Sequence, residues 1–227
     1  MTLHILRKII TFVVMACAVA TLITQCRKPK WWPGRFYAWL MNQTHSWLTT
    51  WALGHVEVGK SDTILDAGCG GGRTIQRLAG IADEGKVYGI DYSEASVAVA
   101  RNTNRDRIAS GRVDVQLASV SSLPFPEDTF DLVTAVETHY YWPDPVNDLR
   151  EILRVLKPGG HVLIAAEVYS RSDRAVVYPA IMKVLGGRSQ SVREQREQFA
   201  EAGYVDVETF EDRRKGWFCG VARKATR

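Results

Sequence analysis

Cysteine is scarce and poorly spaced for structural work: the chain of 227 residues carries 4, Cys17, Cys26, Cys69 and Cys219, with no CxxC pair among them. That pattern supports neither a disulfide framework nor a zinc site. The 5 histidines are equally scattered, so no metal is expected. Neither sign of charge prevails, with 29 basic residues against 25 acidic. Arginines gather at Arg171, Arg174, Arg188, Arg193 and Arg196, and with Lys215 at Arg213 and Arg214, but such runs read as solvated faces, and nucleic acid is not an expected partner. Repeats and low-complexity blocks are absent too. What remains is a chain of 46% hydrophobic content, long enough to bury one sizeable core.

Only one long apolar run occurs. Residues 9–25 are uncharged, bracketed by Arg7 and Lys8 before and by Arg27, Lys28 and Lys30 after. At about 17 residues and 1.5 Å each, the run reaches across a bilayer core. Residues 1–30 are therefore expected to be a membrane anchor helix and its flanks, with the positive charge placing the downstream domain in the cytoplasm. A processed signal peptide and a soluble hydrophobic arm, which leaves the protein soluble in the cytoplasm, are the rival readings. Residues 31–60 follow as an aromatic-rich cap region. Trp31, Trp32 and Tyr37 suit a headgroup layer, Trp47 and Trp51 pack a helix or cover a ligand site, and His45 lies on the helix leading into the first strand.

The most informative stretch runs from Ile64 to Arg73, where glycines stand between an apolar strand and a helix start. Lacking Cβ, they let the backbone turn sharply and approach a ligand, while the helix behind presents unpaired N–H groups. About 20 residues on, residues 86–91 read as a second buried strand ending in Asp91, where ribose hydroxyls are held in such folds. Further strands are expected near 112–117, 130–136 and 160–166. The helices between are expected near 73–79, 93–109 and 145–156, with Pro158 and Gly159 as the stop of the last. A final helix near 191–202 precedes strands near 204–210 and 216–222. This alternation argues an α/β fold with a mostly parallel sheet and helices on both faces. Residues 169–191 are expected to form part of a lid.

The series Asp66-x-Gly68-x-Gly70-x-Gly72 resembles motif I of the class I S-adenosylmethionine-dependent methyltransferases. The later segments "LPFPEDTFDLV" (residues 123–133) and "LKPGG" (156–160) are similar to the same family, in its quinone-biosynthesis branch, and the likeness covers about residues 60 to 167. It implies a Rossmann-like, seven-stranded sheet with the last strand antiparallel, a methyltransferase domain over 61–227, and S-adenosylmethionine as cofactor. The cofactor contacts so implied are Asp66, Gly68, Cys69, Gly70, Gly72, Asp91, Tyr92, Ser119, Val120 and Glu137. Ser119 departs from the pattern, since an acidic residue often follows strand 3 to accept from the adenine amino group. The place of an Asn/Asp-Pro-Pro-aromatic signature, expected of enzymes that methylate bases, holds Glu137-Thr138-His139-Tyr140. His139 is the candidate general base, with Tyr140, Glu137 and His45 behind it. The acceptor is expected to be a small, lipid-like or quinone-like molecule. Two alternatives stay open: an NAD(P)-dependent oxidoreductase, for which Arg73 occupies the place of a third small residue, and a non-catalytic S-adenosylmethionine-binding protein.

Overall fold

The computed structural model describes residues 46–167, 182–184 and 186–226. The expected anchor, the cap residues before Ser46 including His45, and much of the expected lid lie outside the described residues. Among the described residues, no helix is long and apolar enough to cross a membrane.

The elements run α1 (Ser46–Leu53), β1 (Thr63–Ala67), α2 (Arg73–Ile81), β2 (Lys86–Asp91), α3 (Glu94–Thr103), α4 (Arg105–Ala109), β3 (Val113–Leu117) and β4 (Phe130–Val136). A 3-10 turn (His139–Tyr141) leads to α5 (Pro145–Val155), β5 (Leu156–Ala166), α6 (Val192–Ala202), β6 (Val205–Asp212) and β7 (Trp217–Arg223). The 7 strands form one sheet in the order β3-β2-β1-β4-β5-β7-β6. The pairings among β1 to β5 are parallel, and β7 runs antiparallel to both its neighbours. The mostly parallel sheet expected from the alternation, and the seven strands with an antiparallel last one that the resemblance implies, are those observed.

Successive residues of a strand point to opposite faces, and each face is covered by helices. Ile64 packs with Leu48 and Ala52 of α1, Ile75 and Leu78 of α2 and Val97 of α3. Leu65 and Ala67 pack on the other side with Leu149 and Ile152 of α5 and Phe199 of α6. Because both faces are covered, the central strands are apolar almost without interruption, with Val162 to Ala166 wholly buried, as parallel strands are. Caps define the helix starts. Ser93 accepts from Ser96 N, Asp144 accepts from Asn147 N ahead of Pro145, and Ser191 forms a reciprocal capping box with Glu194, each meeting N–H groups that the first turn leaves without partners.

Two expectations are corrected. The helix expected over 93–109 breaks at Asn104, whose buried side chain donates to Ala100 O at 3.0 Å and to Gly72 O at 2.9 Å. A side chain that bonds the backbone of its own helix competes with the ladder there. The second correction concerns Pro158 and Gly159, which do not stop α5. That helix ends at Val155, and β5 begins at once with Leu156 paired to Phe130, so "LKPGG" is the bulged start of the strand. Gly159 holds the bulge at φ +82°, a conformation that a Cβ disfavours, and its N–H donates to Lys224 O at 3.0 Å.

The segment between β3 and β4 is held from α5. Glu151 accepts from Leu123 N at 2.8 Å, and the Arg154 guanidinium, paired with Glu151 at 2.8 Å, donates to Phe125 O at 2.9 Å. Phe125 thereby enters an edge-on aromatic cluster with Tyr88 and Phe130. Asp131 accepts from Thr63 N and from Lys157 Nζ, tying β4 to β1 and to the bulge.

Candidate active site

At the carboxyl ends of the strands the chain order reverses between β1 and β4, the place where an open α/β sheet leaves a crevice. The loop from β1 to α2 enters that crevice. Gly68, Gly70 and Gly72 all take positive φ, at +81°, +51° and +82°, where residues with a Cβ are strained. A Cβ at Gly68 overlaps Thr138, and one at Gly72 lies 2.6 Å from Asn104 Nδ2 and 2.9 Å from Ala100 Cα. At Gly70, by contrast, a Cβ meets nothing within 4 Å. Its outer two glycines let neighbouring elements close on the loop, while the middle one borders open space.

Backbone bonds fix the loop against β2: Gly68 N and Cys69 N both donate to Ile90 O, at 2.9 and 2.8 Å. Asp91 completes the attachment, its two oxygens accepting from Gly70 N at 3.0 Å and Ser93 N at 2.8 Å. A carboxylate offers about four lone-pair directions, so hydroxyl donors from a ligand still find acceptor capacity there. Asp66, 2% exposed, accepts from Thr134 Oγ1 at 2.8 Å. Burial, with the nearby Asp91 charge adding to it, pushes the Asp66 carboxyl up to about 7. Two acids in one confined place disfavour each other's ionisation, and a cation between them relieves both.

Other residues singled out from the sequence behave less uniformly. Cys69 contributes its backbone, because the thiol is buried in the core beside Gly89 and burial raises it well above the usual thiol range. Tyr92 is 38% exposed beyond the end of β2, open to a flat ligand. Ser119 is exposed, and its Oγ accepts from Ser121 N at 3.2 Å within a local turn. Val120 is half-buried against the α5 side of the core. Glu137 stands at φ +59° just past β4. Its carboxylate accepts from Tyr140 Oη at 2.6 Å and from Glu167 N, and its N–H donates to Ala165 O at 2.9 Å, so it clasps the ends of β4 and β5 to the 3-10 turn.

His139 is 4% exposed, edge-on to Trp142, and burial lowers its imidazole to about 4. It is neutral at physiological pH, and its buried Nδ1 has no hydrogen-bond partner among the described residues. Trp47 is 77% exposed, whereas Trp51 packs against Trp217 at a ring separation of 5.7 Å. Three contributors escaped the sequence reading: Thr134, Thr138 and Asn104. Thr134 pairs with the expected acid one strand away, while Thr138 and Asn104 act by filling space beside glycines. Among the described residues, no cluster of three or more His, Cys, Asp or Glu side chains stands ready for a metal.

The residues fit S-adenosylmethionine. Its α-ammonium and sulfonium are positive, matching paired acids, and the open side of Gly70 leaves room for a ligand against the backbone.

Residues 65–164 match the family model described as a methyltransferase domain. A demethylmenaquinone methyltransferase of Symbiobacterium thermophilum is 34% identical, over 65% of this chain and 70% of its own length. An uncharacterized methyltransferase of Schizosaccharomyces pombe is 31% identical over 72% of this chain and 65% of its own. Among solved structures, an S-adenosylmethionine-dependent methyltransferase of Aquifex aeolicus superposes with a TM-score of 0.67 at 21% identity, covering 83% of this chain and 96% of that one. The chain spans from 38% to 65% of the length of the curated relatives that it first matches.

The acid pair makes a measurable prediction. With its folded value raised from 3.8 to about 7, Asp66 binds its proton more tightly in the folded protein than in the unfolded one. Stability of the unliganded protein therefore falls as pH rises from about 4 through 7, by roughly 4 kcal/mol from this one group. Thermal unfolding between pH 4 and 8 checks it: the Asp66→Asn variant is expected to lose that part of the slope, and an unchanged slope refutes the assignment.

Proposed function

The chain belongs to the class I S-adenosylmethionine-dependent methyltransferases, and on that premise we propose that it transfers the methyl group to a small, apolar, quinone-like or lipid-like acceptor. The observation that carries the reading is the glycine loop open at Gly70 and flanked by Asp66 and Asp91. In this reading Asp66 faces the positive amino-acid end of the cofactor, Asp91 accepts from the ribose hydroxyls, and Tyr92 and Val120 flank the adenine. Ser119 offers the adenine a hydroxyl where an acid is more usual.

The cofactor, when bound, would supply an activated methyl carbon to a nucleophilic oxygen, nitrogen or carbon of the acceptor, its carbon–sulfur bond breaking with the electron pair kept by sulfur. Chemistry of this type needs little from the protein beyond alignment and exclusion of water. Glu137 and Tyr140 hold the rim of the pocket in one geometry, because their hydrogen bond joins the turn to the ends of β4 and β5. When the acceptor is a hydroxyl or an N–H, its proton must leave, and the neutral His139 with an unpartnered Nδ1 takes the accepting role. The demethylmenaquinone methyltransferase among the relatives supports an apolar acceptor, and the uncharged run of residues 9–25 is compatible with it, since an anchor there would set the domain beside molecules dissolved in the bilayer.

Three experiments test these assignments. Calorimetry with S-adenosylmethionine is expected to show one site on the full chain. Asp91→Ala is expected to weaken that binding at least tenfold, charge-assisted hydrogen bonds being worth about 1.5–3 kcal/mol, and absence of binding to the wild-type chain overturns the reading. With methyl-labelled cofactor and a lipid extract as acceptor source, His139→Phe is expected to lower kcat by roughly 10² or more while the cofactor Kd stays within twofold; an unchanged kcat removes His139 from the reaction. Alkaline carbonate washing of membranes from expressing cells is expected to leave the protein in the pellet, and its release into the supernatant refutes the anchor.

A further inference from the structure

A second concavity, of about 670 Å³, lies apart from the glycine loop, between Trp51 and Val192 and the turn that joins β6 to β7. That volume suits a small organic ligand. Because β7 is antiparallel to both β5 and β6, the last residue of β6 stands at the same carboxyl edge of the sheet as the cofactor loop. Backbone packing links the two regions: a Cβ at Gly216 lies 3.6 Å from Glu167 O, and Glu167 N in turn donates to Glu137. From β4 to β6 are three strand spacings, or roughly 14 Å.

One wall of the groove is aromatic. Trp51 leans on Trp217 and stands edge-on to His55, which stacks on Phe210 at 4.0 Å. The opposite wall is ionic, and its acids are already satisfied: Glu211 pairs with Arg213 at 3.1 Å and Asp212 with Lys215 at 3.6 Å, while Asp212 also accepts from Arg214 N. Lys215 Nζ is further occupied over the Trp217 ring at 4.2 Å. Arg214 lines the groove, and its guanidinium has no carboxylate partner among the described residues. An apolar shelf ending at a guanidinium complements a molecule with an apolar body and an anionic end.

We propose that this groove holds the acidic end of an elongated apolar acceptor, a phosphate or carboxylate against Arg214 with the chain laid along Trp51, while the reacting end reaches the β4 terminus about 14 Å away. The inference rests on the methyltransferase reading and adds the shape and charge of the acceptor. The probes are 1-naphthyl phosphate and the neutral 1-naphthol, titrated calorimetrically into the full chain, with S-adenosylmethionine titrated separately into each variant. Wild type is expected to prefer the phosphate. Arg214→Gln is expected to lose roughly tenfold in affinity for it, with 1-naphthol and S-adenosylmethionine unchanged and Arg214→Lys recovering part of the loss. Arg214 is exposed on a turn, so these variants fold. Equal affinity of wild type and Arg214→Gln for the phosphate overturns the inference, as does a parallel loss for both probes. Phosphate preference without any binding of S-adenosylmethionine overturns the assignment of the groove to an acceptor, and with it the methyltransferase reading.

Discussion

Two buried carboxylates on adjacent strands face one glycine loop, and much of the site's arrangement follows from keeping them there. Asp66 and Asp91 raise each other's cost of ionisation, and the fold meets that cost with specific donors. Thr134 serves Asp66 from β4; the amides of Gly70 and Ser93 serve Asp91. Each donor belongs to an element that packs for its own reasons: Thr134 sits in a strand buried on both faces, and Ser93 also caps α3. A cationic ligand entering beside Gly70 removes the remaining repulsion. In the proposed reading, stability and cofactor affinity are coupled through the same pair, the burial of Asp66 beside Asp91 costing the unliganded protein what a bound cation would return.

The loop's geometry is in turn a consequence of how tightly α3 and the 3-10 turn approach it. Ala100 and Asn104 close on Gly72, and Thr138 closes on Gly68. Asn104 has a double role, since the bonds that break the helix at this point include the one to Gly72 O. The helix break is therefore the means by which the second βα unit grips the first loop. Replacing Gly72 forces apart elements that otherwise bury Ile75, Val97 and Ala100, and replacing Gly68 displaces Thr138, so the two positions serve packing as much as conformational freedom.

Most of the sheet was legible because β1, β2 and β4 are short runs of five to seven residues, largely apolar and bounded by turn signals, as parallel strands buried on both faces are. The glycine loop and the terminal acids were legible for a related reason: they are backbone devices, written in residue types with one dominant conformational use. Features that depend on contacts across the sequence were not. Nothing near Pro158 announces that Gly159 binds Lys224 and that the segment joins the strand, because the partner lies more than 60 residues away. Thr134 and Thr138 look like ordinary residues of a strand and its exit until Asp66 and Gly68 are brought opposite them.

That asymmetry has a physical origin in the two halves of the crevice. In the proposed reading, the β1–β2 side recognises its ligand with main-chain amides and two acids that the sheet itself supplies, and the β4–β6 side with side chains that the sheet positions but does not choose. Glu137 shows the difference. It takes φ +59° without being glycine, a conformation costing on the order of 1 kcal/mol or more, and holds it with bonds to Tyr140, Glu167 and Ala165. A strained residue over-determined by three partners makes the rim between the halves rigid, so the cofactor side stays the same whichever side chains line the other. In the proposed reading, side chains such as Trp51 and Arg214 can differ around an unchanged donor site, which is how one sheet serves many acceptors.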